Sequence, residues 1–148
     1  MGLIRAPETF RCGIAIAAVT DLPLLFANSD VASDPKAIDV VRKRVGDPTT
    51  EMETLKAHSP TYQYERIKRP LLLIHGTADE RVDFEHAWRL RSLMANAGNA
   101  PHWLPLPGAG HSLSRPQDSL AVHAATDRFL RECLASLGEA GKSAATGL

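Results

Sequence analysis

The sequence lacks any excess of charge: Lys plus Arg and Asp plus Glu total 17 each. It therefore offers no electrostatic footprint for nucleic acid or for an anionic membrane surface, and neither is expected as a partner. Cysteine is scarce. Cys12 and Cys133 lie far apart in apolar contexts and form no CxxC pair, so both read as free core thiols. No apolar run reaches the roughly 18 residues that a membrane-crossing helix needs. The segment Cys12–Val19 is apolar but short, and it follows a charged stretch rather than the start of a signal peptide. HxxxH and HExxH pairs are absent, as are GxGxxG and GxxxxGK[ST]. Neither a metal site nor a nucleotide phosphate cradle is expected, and no cofactor is implied.

What is present fits one domain. The chain has 148 residues, of which 44% are hydrophobic. A domain of this size buries about 70% of the surface its unfolded chain exposes. Gly13–Thr20 reads GIAIAAVT, a short, partly β-branched apolar run that suits a strand buried on both faces. Asp21–Asp34 reads as a loop. Asp34 then caps a helix with Pro35 in its first position, running through Val45 to a stop at Gly46. A short helix over Thr49–Ala57 ends at Ser59–Pro60. Leu71–His75 is a second apolar strand.

Asp83–Ala97 carries Phe84, Ala87, Trp88, Leu90, Met94 and Ala97 near helical spacing, with Gly98 as its stop. His102–Leu106 is a third strand. The last helix runs from Pro116 to Leu137, with Val122, Ala125, Phe129, Cys133 and Leu137 as its buried stripe and Gly138 as its cap. Residues 1–138 form the folded unit and 139–148 a flexible tail. Alternating buried strands and amphipathic helices predict an α/β fold, a parallel sheet of about three strands with helices on both faces.

Active sites in such sheets lie beyond the carboxyl ends of the strands. Asp79 follows the second strand in LLLIHGTADERV, and His111 follows the third in PGAGHSLSRP. One strand–helix–strand unit separates them, so both project from the same sheet edge. An Asp can accept from one imidazole nitrogen and fix its tautomer while the other nitrogen acts as a general base. Each residue also has a plainer reading: Asp79 as a turn or helix-cap residue, His111 as an exposed loop residue. Gly108 and Gly110 favour the first reading, since they let the backbone turn tightly beside a neighbour. Of the other histidines, His86 and His123 fall on helices and read as surface or boundary residues, while His102 starts a strand.

These segments, RPLLLIHGTADERV followed by GAGHSLSRPQD, resemble the end of the α/β-hydrolase catalytic domain in the prolyl oligopeptidase family of serine peptidases. GDP at Gly46–Pro48 and SPTYQYERIKRP ahead of the acid strand agree. The resemblance covers about residues 1–135 and implies Asp79 as triad acid and His111 as triad base. It implies hydrolysis of peptide bonds through a Ser-Asp-His triad. The nucleophile elbow G-x-S-x-G is absent: none of the serines, Ser112 and Ser114 included, is flanked by glycines in that way. The family order Ser, Asp, His places the nucleophile about ten residues before Met1. The expectation is therefore a chain with acid and base but no nucleophile, inactive alone. Its first strand would present a bare edge prone to self-association. An α/β-hydrolase esterase and a non-catalytic interaction module of the same fold are the competing readings. Cleavage preference and localisation are left open.

Overall fold

The computed structural model describes the backbone of residues 1–144 and the side chains of residues 1–135. Three parallel strands form the sheet, in the order β1 (Gly13–Ile16), β2 (Leu71–Gly76), β3 (His102–Leu106). Around them run α1 (Gly2–Arg5), α2 (Leu22–Leu25), α3 (Pro35–Val45), α4 (Met52–Ala57), α5 (Glu85–Asn96) and α6 (Pro116–Ala144). Two 3₁₀ turns, Asp30–Ser33 and Pro60–Arg66, complete the order. β1 pairs with β2 from Gly13↔Leu71 to Ile16↔Ile74, and β2 pairs with β3 from Leu72↔His102 to Gly76↔Leu106.

The central strand explains its own sequence. All six residues of β2 are buried, which is why it reads as a continuous apolar run. Successive side chains alternate between faces. Leu71 and Leu73 join Ile4, Ile67, Leu90 and Met94 on the α5 side. Leu72 and Ile74 join Leu106, Ala109 and Phe129 on the α6 side. Pro105 sits in β3, a sheet edge among the described residues, where a missing N–H costs no ladder bond.

The helix caps match the sequence. Asp34 Oδ1 accepts from Lys36 N–H at 2.8 Å and Ala37 N–H at 3.3 Å, and Gly46 takes φ +121° at the end of α3. Gly98 takes φ +76° just after α5, and Asn99 N–H closes the turn on the Met94 carbonyl at 2.9 Å.

Several expectations are corrected. Cys12 and Cys133 are not free thiols but a disulfide, with Cα atoms 6.4 Å apart. Cys12 lies one residue before β1, and Cys133 lies on the stripe of α6 that packs beneath the sheet. Only the assembled fold brings them together, which sequence spacing does not reveal. β1 ends at Ile16 rather than Thr20, because Ala17 turns to φ +47° after its N–H reaches the Ile74 carbonyl at 2.9 Å. β1 is also only partly buried, with Ile16 at 43% exposure. Asp21–Asp34 holds α2 and a 3₁₀ turn rather than plain loop; Asp21 Oδ1 caps α2 through Leu24 N–H at 3.1 Å.

On α5, Trp88 is 53% exposed while His86 is fully buried, the reverse of the reading from sequence. At about 100° per residue, positions 86, 87, 90 and 94 share one face and 88 lies opposite. Finally, α6 continues past Gly138 to Ala144, so that glycine does not stop it. Residues 145–148 of the tail lie outside the described residues.

Candidate active site

The site is assembled by two loops that leave the carboxyl ends of β2 and β3. They are tied to each other before any functional side chain is placed. Thr77 N–H donates to the Leu106 carbonyl and Ala78 N–H to the Ala109 carbonyl, both at 3.0 Å. Gly108 N–H returns a bond to Thr77 Oγ1 at 2.8 Å. This crossing requires Gly76: a Cβ there would lie 2.3 Å from the Ala109 carbonyl oxygen. Gly108 adopts φ +65°, so the second loop also depends on a glycine.

Asp79 divides its two oxygens between structure and chemistry. Oδ1 accepts from Arg81 N–H at 3.0 Å and Val82 N–H at 2.9 Å, closing the turn that follows β2. Oδ2 accepts from His111 Nδ1–H at 2.9 Å. Asp79 is therefore the turn residue through Oδ1, while Oδ2 is left to face His111. Asp79's side chain is fully buried, whereas that of His111 is 41% exposed. With Nδ1 protonated and engaged, Nε2 is the free basic nitrogen of His111. A hydrogen bond at this distance fixes both tautomer and ring orientation.

His111 opens onto a depression of about 430 Å³ lined by Asp30, Ala78, Glu80, Arg81, Gly110 and Ser112 as well. Its wall is partly built by the segment before α3. Asp30 N–H donates to the Glu80 carbonyl at 2.8 Å, and Arg81 Nε donates to Asp30 Oδ2 at 3.2 Å. The base of the His111 loop is held by Arg115. Its guanidinium grips Asp118 at 2.6 and 2.9 Å and also donates to the Pro107 carbonyl at 2.7 Å. The sequence reading missed Arg115, although SRPQD carries the signal, an Arg three residues ahead of an Asp at a helix start.

It also missed His75, which is buried beside Asp79 with Nε2 2.8 Å from the Val82 carbonyl and 3.4 Å from Asp79 Oδ2. His102 lies 4.0 Å from Glu132 and His123 bonds the Ser119 carbonyl, so neither joins this pair. Among the described residues, no group of three or more His, Cys, Asp or Glu side chains could hold a metal ion, and no helix is long and apolar enough to cross a membrane.

The sheet and its paired loops define an α/β-hydrolase fold with an Asp–His pair at the carboxyl edge. Solved structures agree on the fold. Acylaminoacyl peptidase of Pyrococcus horikoshii superposes with a TM-score of 0.77 at 20% identity, covering 88% of this chain and 21% of that one. Puromycin hydrolase gives a TM-score of 0.78 at 20% identity, covering 90% and 20%. The prolyl oligopeptidase family pattern matches residues 1–137. The chain belongs to that family, and its relatives there are peptidases. Dipeptidyl aminopeptidase BIII of Pseudoxanthomonas mexicana is 31% identical over 145 residues, which cover 93% of this chain and 20% of the relative. The protein named inactive dipeptidyl peptidase 10 of Rattus norvegicus is 28% identical over 134 residues, 89% of this chain and 15% of its own length. The chain thus spans about a fifth or less of the curated relatives it matches.

Proposed function

We propose that Asp79 and His111 are the acid and base of a Ser-Asp-His triad that hydrolyses peptide bonds, its serine supplied by a G-x-S-x-G elbow N-terminal to Met1. The observation that carries this reading is the 2.9 Å bond from His111 Nδ1 to a buried carboxylate on a ring that remains exposed. In the proposed reaction His111 Nε2 takes the serine proton as Oγ attacks the scissile carbonyl carbon. The buried carboxylate stabilises the imidazolium, which then gives its proton to the leaving amine as the carbon–nitrogen bond breaks. Water, deprotonated by the same nitrogen, releases the acyl group and restores the serine.

Peptide as substrate is supported by relatives named as dipeptidyl and acylaminoacyl peptidases. An esterase reading has no specific observation behind it, and the intact acid–base pair speaks against a purely non-catalytic module. Alone, the chain has no nucleophile for His111 to activate, so it is inactive.

Labelling with a fluorophosphonate serine probe, followed by mass mapping, tests this. The expected result is no label on the 148-residue chain. Label should appear on the elbow serine once an upstream segment carrying it is joined, and be lost in Asp79→Asn and His111→Ala. Label on a serine within residues 1–148 would overturn the upstream assignment.

A further inference from the structure

Beyond the pair itself, the buried side of Asp79 carries an arrangement that the triad reading does not use. β2 alternation puts His75 on the same face as Leu71 and Leu73, toward α5, where its ring meets Phe84 edge-on at 6.1 Å between centroids. The ring is 1% exposed. Its Nε2 lies 2.8 Å from the Val82 carbonyl, an acceptor only, so Nε2 must carry the proton. That same nitrogen lies 3.4 Å from Asp79 Oδ2, the oxygen that receives His111. Nδ1 is then a bare acceptor, and it has no partner.

One buried donor matches it. His86 Nδ1 accepts from Thr20 N–H at 3.4 Å and Asp21 N–H at 3.3 Å, so the His86 proton sits on Nε2, which is also unpartnered. The His75 ring is near enough to oppose a positive charge on His86.

We propose that His75 is a positioning residue for Asp79: its Nε2–H, bonded to the Val82 carbonyl and 3.4 Å from Oδ2, attracts that oxygen electrostatically and holds the carboxylate plane so that Oδ2 stays directed at His111. Without it, Oδ1 would remain anchored by Arg81 and Val82 N–H, but Oδ2 would have only the exposed His111 ring to define its direction. This rests on the Asp79–His111 pairing proposed above. The charged groups around the arrangement are Asp21, Asp83 and Arg89 at His86, and Asp30, Glu80 and Arg81 near His111.

The test is solvent exchange of the His111 Nδ1 proton by ¹⁵N-edited NMR on the 148-residue chain, with β2 backbone amides as internal control. Three forms are compared: wild type, His75→Leu, and His75→Gln, whose amide keeps a donor. The proton should be protected in wild type and exchange about tenfold faster in His75→Leu, the scale of one lost hydrogen bond. His75→Gln should restore protection to within about threefold. His75 itself should show a protonated Nε2 and a bare Nδ1.

Equal protection in wild type and both variants would overturn the positioning role while leaving the Asp79–His111 pair standing. An unprotected His111 proton in wild type would overturn the pair and the positioning role together. Acceleration of the β2 amides by the same factor as the His111 proton would reduce the effect to lost structure and overturn the positioning role. Should His75→Leu fail to fold, His75→Gln decides: loss of protection in this donor-bearing variant overturns the role.

Discussion

The two margins of the central strand are built to different standards. On the β3 side, two loops cross at the end of β2, exchange backbone bonds, and fix Asp79 and His111 at 2.9 Å. On the β1 side, the strand is four residues long, Ile16 is exposed, and Ala17 leaves the sheet in a left-handed conformation. The Asp79–His111 contact is built from residues 71–118. Among the described residues the β1 margin presents an unpaired strand edge and exposed apolar side chains, Phe10 at 44% among them. A fixed side-chain geometry at the carboxyl edge and a closed hydrophobic surface are thus separable features of one fold. The first needs two strands and their loops, while the second needs a neighbour on every apolar face.

The largest expected effect breaks the weaker margin. The disulfide fastens the residue before β1 to α6 across 121 positions. Cys12→Ser with Cys133→Ser should cost about 2–5 kcal/mol, since the cross-link constrains a long loop in the unfolded chain. Urea unfolding of oxidised, reduced and double-variant protein measures it. The reduced and variant forms should lose stability together, with β1 amides exchanging earlier than those of β2.

Breaking the stronger margin calls for Gly76→Ala. The added methyl would lie 2.3 Å from the Ala109 carbonyl oxygen, and that backbone must move. A cost of about 1–3 kcal/mol is expected, the scale of an overpacked site. The displaced loop carries His111, so the Asp79–His111 proton signal should vanish from the NMR spectrum even where the variant stays folded. Retention of that signal would show that the loop crossing does not set the pair.

How far the sequence revealed each margin follows the same division. β3, the bounds of α3 with its Asp34 cap, and the Asp79–His111 pair were legible because each rests on local signals: an apolar run, a capping residue, a loop just past a strand. The disulfide was not legible, because Cys12 and Cys133 meet only through packing of α6 under the sheet. On α5 Trp88 is the larger hydrophobe, yet Leu90 and Met94 set the buried face, and His86 shares it. GIAIAAVT stays apolar past the turn at Ala17, so the apolar run alone overstates the length of β1. The residues after Ile16 are apolar without being strand.

A smaller effect sits where the margins join. His86, on α5, receives Thr20 and Asp21 N–H from the segment after β1, and Thr20 Oγ1 donates back to its carbonyl at 2.6 Å. Burial outweighs the attraction of Asp21 and pulls its pKa from 6.5 down to about 4. The unfolded chain therefore binds this proton below pH 6.5 while the folded chain resists it until about 4. Stability contributed by the neutral ring is complete above that window and is lost as pH falls through it. His86→Gln keeps an acceptor but cannot titrate. Comparing the pH slope of stability for the two proteins between pH 4 and 6.5 should give a shallower slope for the variant. Equal slopes would mean that His86 is not buried neutral.

The smallest effect on stability gives the sharpest reading of the β1 edge. Ile16 is 43% exposed at the end of the edge strand. Ile16→Lys should change unfolding free energy by no more than about 0.5 kcal/mol, the usual range for a surface site. Charge on an exposed edge strand nevertheless opposes pairing with a second copy. We infer that wild type self-associates through this edge, so light scattering after size exclusion should report a species larger than 16.0 kDa that falls toward that mass in Ile16→Lys. A wild-type chain that is already monomeric would show that the apolar margin is tolerated in solution, and would remove self-association from the account. An oligomer unchanged by the lysine would move the contact elsewhere, to the surface around Phe10. Because the substitution lies away from the β2 and β3 loops, the His111 proton signal should persist in both forms, as expected if the site is complete without the edge.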